Sequence, residues 1–267
     1  MSLHEWAGRS LGTRTVSYDE SDAILYALAI GASEEQLDLV FEDQLRVLPT
    51  FALTLAQWAP DALAVEGVFD HRSMHGSQTL EVHKSLPRSG EITLTARVGN
   101  IWDKGSAAIC EVVIDSDYFT ATWSIFCPGH GGFGGERGPS VAQPDAAAAK
   151  AAATPTITEV AFPTFATQAA LYRLTGDRHH IHIDPAASAA IGQPKPILQG
   201  MCTLAAATLP LAQALGAHPA DLRSLSGRFS GPVVPGQQLT IRVSDTGAFD
   251  AVYGETTVIS GGAVSFS

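Results

Sequence analysis

The chain has 267 residues, 45% of them apolar and 16% charged, which is enough for a full core and outside the range of disordered chains. Its 16 Lys and Arg against 27 Asp and Glu give a net charge of −11, so a nucleic-acid partner, which needs a basic footprint, is not expected. Three widely spaced cysteines (Cys110, Cys127, Cys202), no apolar run of membrane-spanning length and no apolar h-region in MSLHEWAGRS exclude a disulfide framework and a membrane partner, and predict a cytoplasmic location.

In chain order, Ser21 is placed to cap a helix over residues 22–30, and Gly31 to end it. The apolar stretch 50–58 reads as a second, buried helix. Strand-like runs follow at 78–85, 92–102, 106–115 and 118–126, where Ile92, Leu94, Ala96 and Val98 alternate as a half-buried strand demands. Gly129-His130-Gly131-Gly132-Phe133-Gly134 matches GxGxxG literally. No helix pattern follows it, as a dinucleotide site requires, so it reads as a flexible loop. Residues 138–155, GPSVAQPDAAAAKAAATP, have little to bury and read as a linker, or as an alanine-rich helix over 145–153. The division is therefore 1–137, a linker 138–155, and 156–267.

The second part has the same grammar. A helix over 167–174 stops at Gly176. Asp184-Pro185 is a cap followed by proline at the first helical position. Residues 200–215 form a long apolar helix that Pro210 should kink or split. Strand signals come last, at 225–229, 238–244, 249–253, 255–259 and 263–266. SGEITLTARV (89–98) echoes PGQQLTIRVS (235–244), each a glycine turn feeding an alternating strand. Helix first, then an antiparallel meander, twice over, predicts two α+β units of one kind, each sheet wrapping an apolar helix.

The densest polar constellation is Thr175-Gly176-Asp177-Arg178-His179-His180-Ile181-His182-Ile183-Asp184-Pro185, in a loop between two helices. Asp177 and His182, five apart, can converge on one small molecule such as a water. A carboxylate with an imidazole can take one proton and deliver another near neutral pH. The other reading is a local cap with surface histidines, and a metal on His180 and His182 is a third. Gly200 opens the long helix, where an unpaired N–H can hold a developing oxyanion, or where close packing alone demands glycine.

Tyr172–Ser188 (YRLTGDRHHIHIDPAAS) resembles the signature of the MaoC-like hydratases, the (R)-specific enoyl-CoA hydratase 2 family: an aromatic, an aliphatic, Ser or Thr, then Gly-Asp-x-Asn-Pro-aliphatic-His and a small residue six further on. Tyr172, Leu174, Thr175, Gly176, Asp177, Ile181, His182 and Ser188 fit. YDESDAILYALAIGA, VLPTFA, MHGSQTLEVHKSLP, DKGSAA, GGFGGERGP, QGMCTLAAA and RFSGPVVPGQQL extend the similarity to its two-repeat members. The resemblance implies an α+β double hotdog, with the catalytic loop kept only in the second repeat and room for the acyl chain in the first. It implies Asp177 and His182 as the catalytic pair, Gly200 as oxyanion donor, and His75, Gly76, Lys104 and Phe229 as acyl-CoA contacts. It also implies an acyl-CoA thioester substrate, no cofactor, no metal and a homodimer. One departure stands out: the family's Asn-Pro is His179-His180 here, so that His179 would take over the assisting role of the asparagine. The implied reaction is reversible hydration of trans-2-enoyl-CoA to (R)-3-hydroxyacyl-CoA. Its alternatives are dehydration of a CoA or carrier-protein thioester, or acyl-thioester binding without turnover.

Overall fold

The computed structural model describes residues 2–139 and 155–267. The first half runs β1 (Ser10–Tyr18), α1 (Glu20–Ala29), α2 (Leu37–Val40), α3 (Phe51–Ala56), α4 (Trp58–Val65), β2 (Met74–Val82), β3 (Gly90–Asp103), β4 (Ala107–Asp115) and β5 (Phe119–Pro128). The second runs β6 (Ile157–Pro163), α5 (Gln168–Tyr172), α6 (Pro185–Ala190), α7 (Gly200–Ala214), β7 (Leu222–Phe229), β8 (Gln238–Ser244), β9 (Ala248–Tyr253) and β10 (Thr256–Phe266).

These strands form one antiparallel sheet in the order β1-β3-β4-β5-β2-β7-β10-β9-β8-β6. Numbered within its own half, each half has the strand order 1-3-4-5-2. The halves meet where β2 pairs with β7, Gln78 opposite Gly227 and Leu80 opposite Leu225. This is the expected double hotdog, and the echo between 89–98 and 235–244 falls on β3 and β8, the same strand of each repeat. In the second repeat the wrapped helix is α7, with ten of its fifteen residues buried. In the first it is α3 with α4, since Gln57 between them keeps helical dihedrals (φ −55°, ψ −29°).

Several expectations need correction. The first helix starts at Glu20, not Asp22, because Asp19 rather than Ser21 caps it: Asp19 Oδ1 accepts the Asp22 N–H and Asp22 Oδ2 the Asp19 N–H, both at 3.0 Å. The helix expected over 50–58 continues as α4. Pro210 does not split α7; Leu209 and Pro210 lie on its less buried side, and the packing of the other faces outweighs the lost hydrogen bond. The two runs expected at 255–259 and 263–266 are one strand, β10, with its register shifted between Ser260 and Ala263. The linker expected over 138–155 and the helix expected over 145–153 lie, but for the flanking residues, outside the described residues. Among the described residues no helix is long and apolar enough to cross a membrane.

Candidate active site

The chain leaves α5 through a turn at Arg173–Thr175 and reverses at Gly176, whose φ of 154° lies in the region that favours glycine. A Cβ at Gly176 would stand 3.1 Å from Thr54 Cγ2 of α3, so the loop is pressed against the first repeat one residue before Asp177. Asp177 Oδ1 then accepts the backbone N–H of His179 at 3.1 Å. His179 Nδ1 accepts the N–H of Ile181 at 3.4 Å and so caps the short turn His180–His182. The N–H groups of Ile183 and Asp184 close that turn on the His180 carbonyl at 3.0 and 2.8 Å. The imidazole of His179 does the capping an asparagine would do, and backbone hydrogen bonds hold the turn that a proline would stiffen. Asp184 caps α6 as expected, accepting from Ala186 N–H at 2.8 Å with Pro185 at the first helical position.

His182 is buried. Its Nδ1 lies 2.8 Å from the Ile197 carbonyl oxygen, which only accepts, so Nδ1 carries the proton and Nε2 the lone pair. Nε2 faces Asp177 Oδ2 at 3.8 Å. Burial lowers the pKa of His182 below the usual imidazole value, and the Asp177 charge and the Ile197 carbonyl oppose only part of that shift. A ring held neutral in the folded state contributes stability that is present above the ordinary value of 6.5 and is lost as the pH falls below it. Ring 15N shifts of His182 at pH 6.5 are therefore expected to show a neutral, Nδ1-protonated imidazole; a charged ring would contradict this.

Gly200 begins α7 three residues after Ile197, a stretch that can span at most ~11 Å, so the carbonyl that fixes His182 also ties it to the helix N-terminus. The Gly200 N–H is one of the donors the helix leaves unpaired. A Cβ at Gly200 would stand 3.1 Å from the Phe229 ring, which accounts for the glycine. Phe229 packs edge-on against His75, centroids 4.8 Å apart, and His75 stacks on Trp123 at 6.3 Å. The side chains around His75 desolvate it and push its pKa down to about 4, and the Ser77 carbonyl 3.1 Å from Nε2, which only accepts, draws the proton of the neutral ring to that nitrogen. Gly76 is the extra residue where the β2–β5 register shifts, and a Cβ there would stand 3.3 Å from the Ser124 carbonyl oxygen.

Asp177, His179 and His182 are thus brought together. Gly200, Phe229 and His75 form a second contact series, with Gly76 beside it. Lys104 is engaged elsewhere: its Nζ donates to the Arg137 carbonyl. The loop read as flexible, 129–134, is instead gathered on Asp103, whose carboxylate accepts N–H groups of Gly105, Gly132 and Gly134, each at 2.8 Å. The sequence reading missed Ile197, Thr54 and Asp103, because each acts through a partner at least two dozen residues away or through a main-chain carbonyl that has no sequence signature. Among the described residues no three His, Cys, Asp or Glu side chains converge as metal ligands.

A family model described as the MFE-2 hydratase 2 N-terminal domain matches residues 16–126, and one described as a MaoC-like domain matches residues 147–263. The enoyl-CoA hydratase ChsH3 of Mycobacterium tuberculosis is 36% identical over 255 residues, covering 88% of this chain and 86% of that protein. The chain belongs to the MaoC-like hydratase 2 family. A second M. tuberculosis relative, 3-hydroxyacyl-thioester dehydratase Y, is 34% identical over 92% of this chain and 88% of its own length. A MaoC-like dehydratase from Phytophthora capsici has a similar solved structure: TM-score 0.82, 25% identity, 99% of this chain and 97% of that one. The corresponding stretch of the first repeat, GASEEQLDLVFE, holds no Asp and His at that spacing.

Proposed function

We propose that this protein hydrates trans-2-enoyl-CoA reversibly to (R)-3-hydroxyacyl-CoA, with Asp177 and His182 as the catalytic pair. The observation that carries the reading is the 3.8 Å separation of Asp177 Oδ2 and His182 Nε2, with the His182 proton locked on Nδ1. An ionised carboxylate and that lone pair both accept and cannot bond each other. A water ~2.8 Å from each donates one proton to each, at an angle of roughly 85°. As its oxygen adds to C3, one acceptor takes the proton. The enolate then takes a proton at C2 from the pair, on the same face of the former double bond. Gly200 N–H, at the positive end of α7, holds the thioester oxygen while it carries the enolate charge.

The rest of the contact set follows. Residues 156–267 do the chemistry and residues 1–137 cover the acyl chain, with His75, Gly76 and Phe229 along the thioester and Lys104 toward the CoA. No step calls for a metal or a cofactor. His179 stands in for the family asparagine through Nδ1, which caps the turn at Ile181, while its backbone N–H still holds Asp177; this favours turnover over silent binding. Three buried free cysteines suit a reducing cytoplasm, and the unpaired outer edges β1 and β6 suit a homodimer. Dehydration of a hydroxyacyl thioester is the same reaction run backward, and the named activity of dehydratase Y favours testing it.

The test is loss of the enoyl-thioester absorbance with short, medium and long trans-2-enoyl-CoA, each beside its carrier-protein thioester. Turnover with at least one CoA substrate, and chiral analysis giving the (R) product, are expected. A folded protein inactive on all of them, or an (S) product, would overturn the assignment.

A further inference from the structure

The stretch 197–200 holds the loop that carries Asp177 and His182 at both of its ends. Ile197 holds the far end twice: its carbonyl takes the His182 Nδ1–H at 2.8 Å, and its N–H donates to the Ile181 carbonyl at 3.3 Å. Gln199, fully buried, holds the near end. Its Nε2 donates to the Ala169 carbonyl of α5 at 3.2 Å. Ala169 lies one helical turn before Arg173, where the chain leaves α5 for the loop. That carbonyl already accepts the Arg173 N–H, so the Gln199 bond is a second one that α5 does not need.

Other features of Gln199 are also costly for a purely structural residue. It stands at the N-cap of α7, where Ser, Thr, Asp or Asn would take up a first-turn N–H. Its side chain makes no such bond and reaches to α5 instead. A carbonyl only accepts, so the amide nitrogen must face Ala169, and Oε1 is left buried without a hydrogen-bond partner among the described residues. A buried amide with its acceptor unused contributes less to stability than an apolar side chain of the same length. The main chain makes no demand for glutamine either: the Gln199 carbonyl takes Thr203 N–H at 3.0 Å and Thr203 Oγ1 at 3.1 Å, as any residue there would allow.

We propose that Gln199 is a positioning residue of this site: it ties the start of α7 to the last turn of α5, and so fixes the Gly200 N–H relative to the start of the loop that carries Asp177. Without the tie, Ile197 still holds His182, but the Asp177 end of the loop moves independently of α7. The inference rests on the hydratase reading for its kinetic consequence. Water at Asp177 and His182 and the thioester oxygen at Gly200 must be in place together, so a loss of spacing costs rate more than affinity.

The test is Gln199→Met, which keeps the length and removes the amide. No carbonyl is orphaned and one unpaired acceptor disappears, so Tm is expected to equal that of the wild type or exceed it. For enoyl-CoA, kcat should fall about tenfold with KM little changed. Amide hydrogen exchange in the peptide 173–182 should be faster, because the near end of the loop is released. Gln199→Asn keeps an amide that is one methylene too short for α5, and should not restore the rate. Unchanged exchange in Gln199→Met overturns the proposal whether or not the protein is active. An unchanged kcat, or a loss of kcat that comes with a lowered Tm, overturns it too and makes the residue structural. Faster exchange at undiminished Tm, in a protein whose wild type shows no turnover, leaves the tie standing and removes the hydratase reading instead.

Discussion

Asp177→Asn is expected to lower the hydration rate about a thousandfold while leaving the fold and substrate binding intact. The asparagine oxygen can still take the His179 N–H, so the loop keeps its shape. What changes is the group facing His182 Nε2 at 3.8 Å: an amide there accepts no proton and holds a water far more weakly than a carboxylate does. His182→Ala should be as damaging for the complementary reason, because the lone pair on Nε2 disappears while Ile197 loses its donor. The two losses are not expected to add. If both acceptors grip one water, removing either removes the arrangement, and the double variant should be little worse than either single one. Initial rates with the preferred enoyl-CoA, beside calorimetric binding of a saturated acyl-CoA, separate chemistry from binding. Binding retained with turnover lost fits a catalytic pair; both lost together would place Asp177 in the architecture instead.

The approach of Asp177 to His182 was legible as one of several alternatives in their spacing of five, and the resemblance of residues 172–188 singled it out. What holds the pair was not. His182 is fixed by the main-chain carbonyl of Ile197, fifteen residues on, and any residue there offers the same oxygen. The fold shows the same division. The central strands announced themselves by alternation: β3 buries Ile92, Leu94, Ala96 and Val98 in turn. The two strands missed, β1 and β6, are the outer edges of the sheet, where one partner and water share the backbone and the side chains need not alternate. Along β1 only Tyr18 is fully buried, and its cross-strand bonds include hydroxyl pairs, Thr13 with Thr95 at 3.2 Å and Thr15 with Thr93 at 3.4 Å. Position in the sheet, not propensity, decides such strands. Pro210 misled in the opposite direction: a local rule against proline in helices lost to the burial of the helix around it.

Asp103→Ala should have the largest effect away from Asp177 and His182, and it turns on the glycine-rich loop. Three N–H groups, from Gly105, Gly132 and Gly134, end on this one carboxylate, which they hold down to about 2. The loop has no slack to find other partners. A Cβ at Gly131 would run into the carbonyls of Gly105 and Ala107, a Cβ at Gly138 into the Trp102 ring, and Phe133 is already stacked on His4 with centroids 5.0 Å apart. Asparagine is no remedy, because its amide nitrogen would face one of the donors. Tm is expected to fall by ~5 °C at pH 7. With the loop released, Lys104 loses its seat on the Arg137 carbonyl, and KM for the CoA thioester should rise about tenfold while kcat changes little, since among the described residues the polar partners of Asp177 and His182 are His179, Ile197 and each other, none of them in this loop. The pH dependence carries the sign of a carboxyl group depressed in the folded state. Its contribution is fully present above the ordinary 3.8 and is lost as the pH falls toward about 2. The Tm gap between wild type and Asp103→Ala should therefore be widest at neutral pH and should close between pH 4 and pH 2. A gap that stayed constant down to pH 2 would mean that the loop is held by its packing rather than by the charge on Asp103.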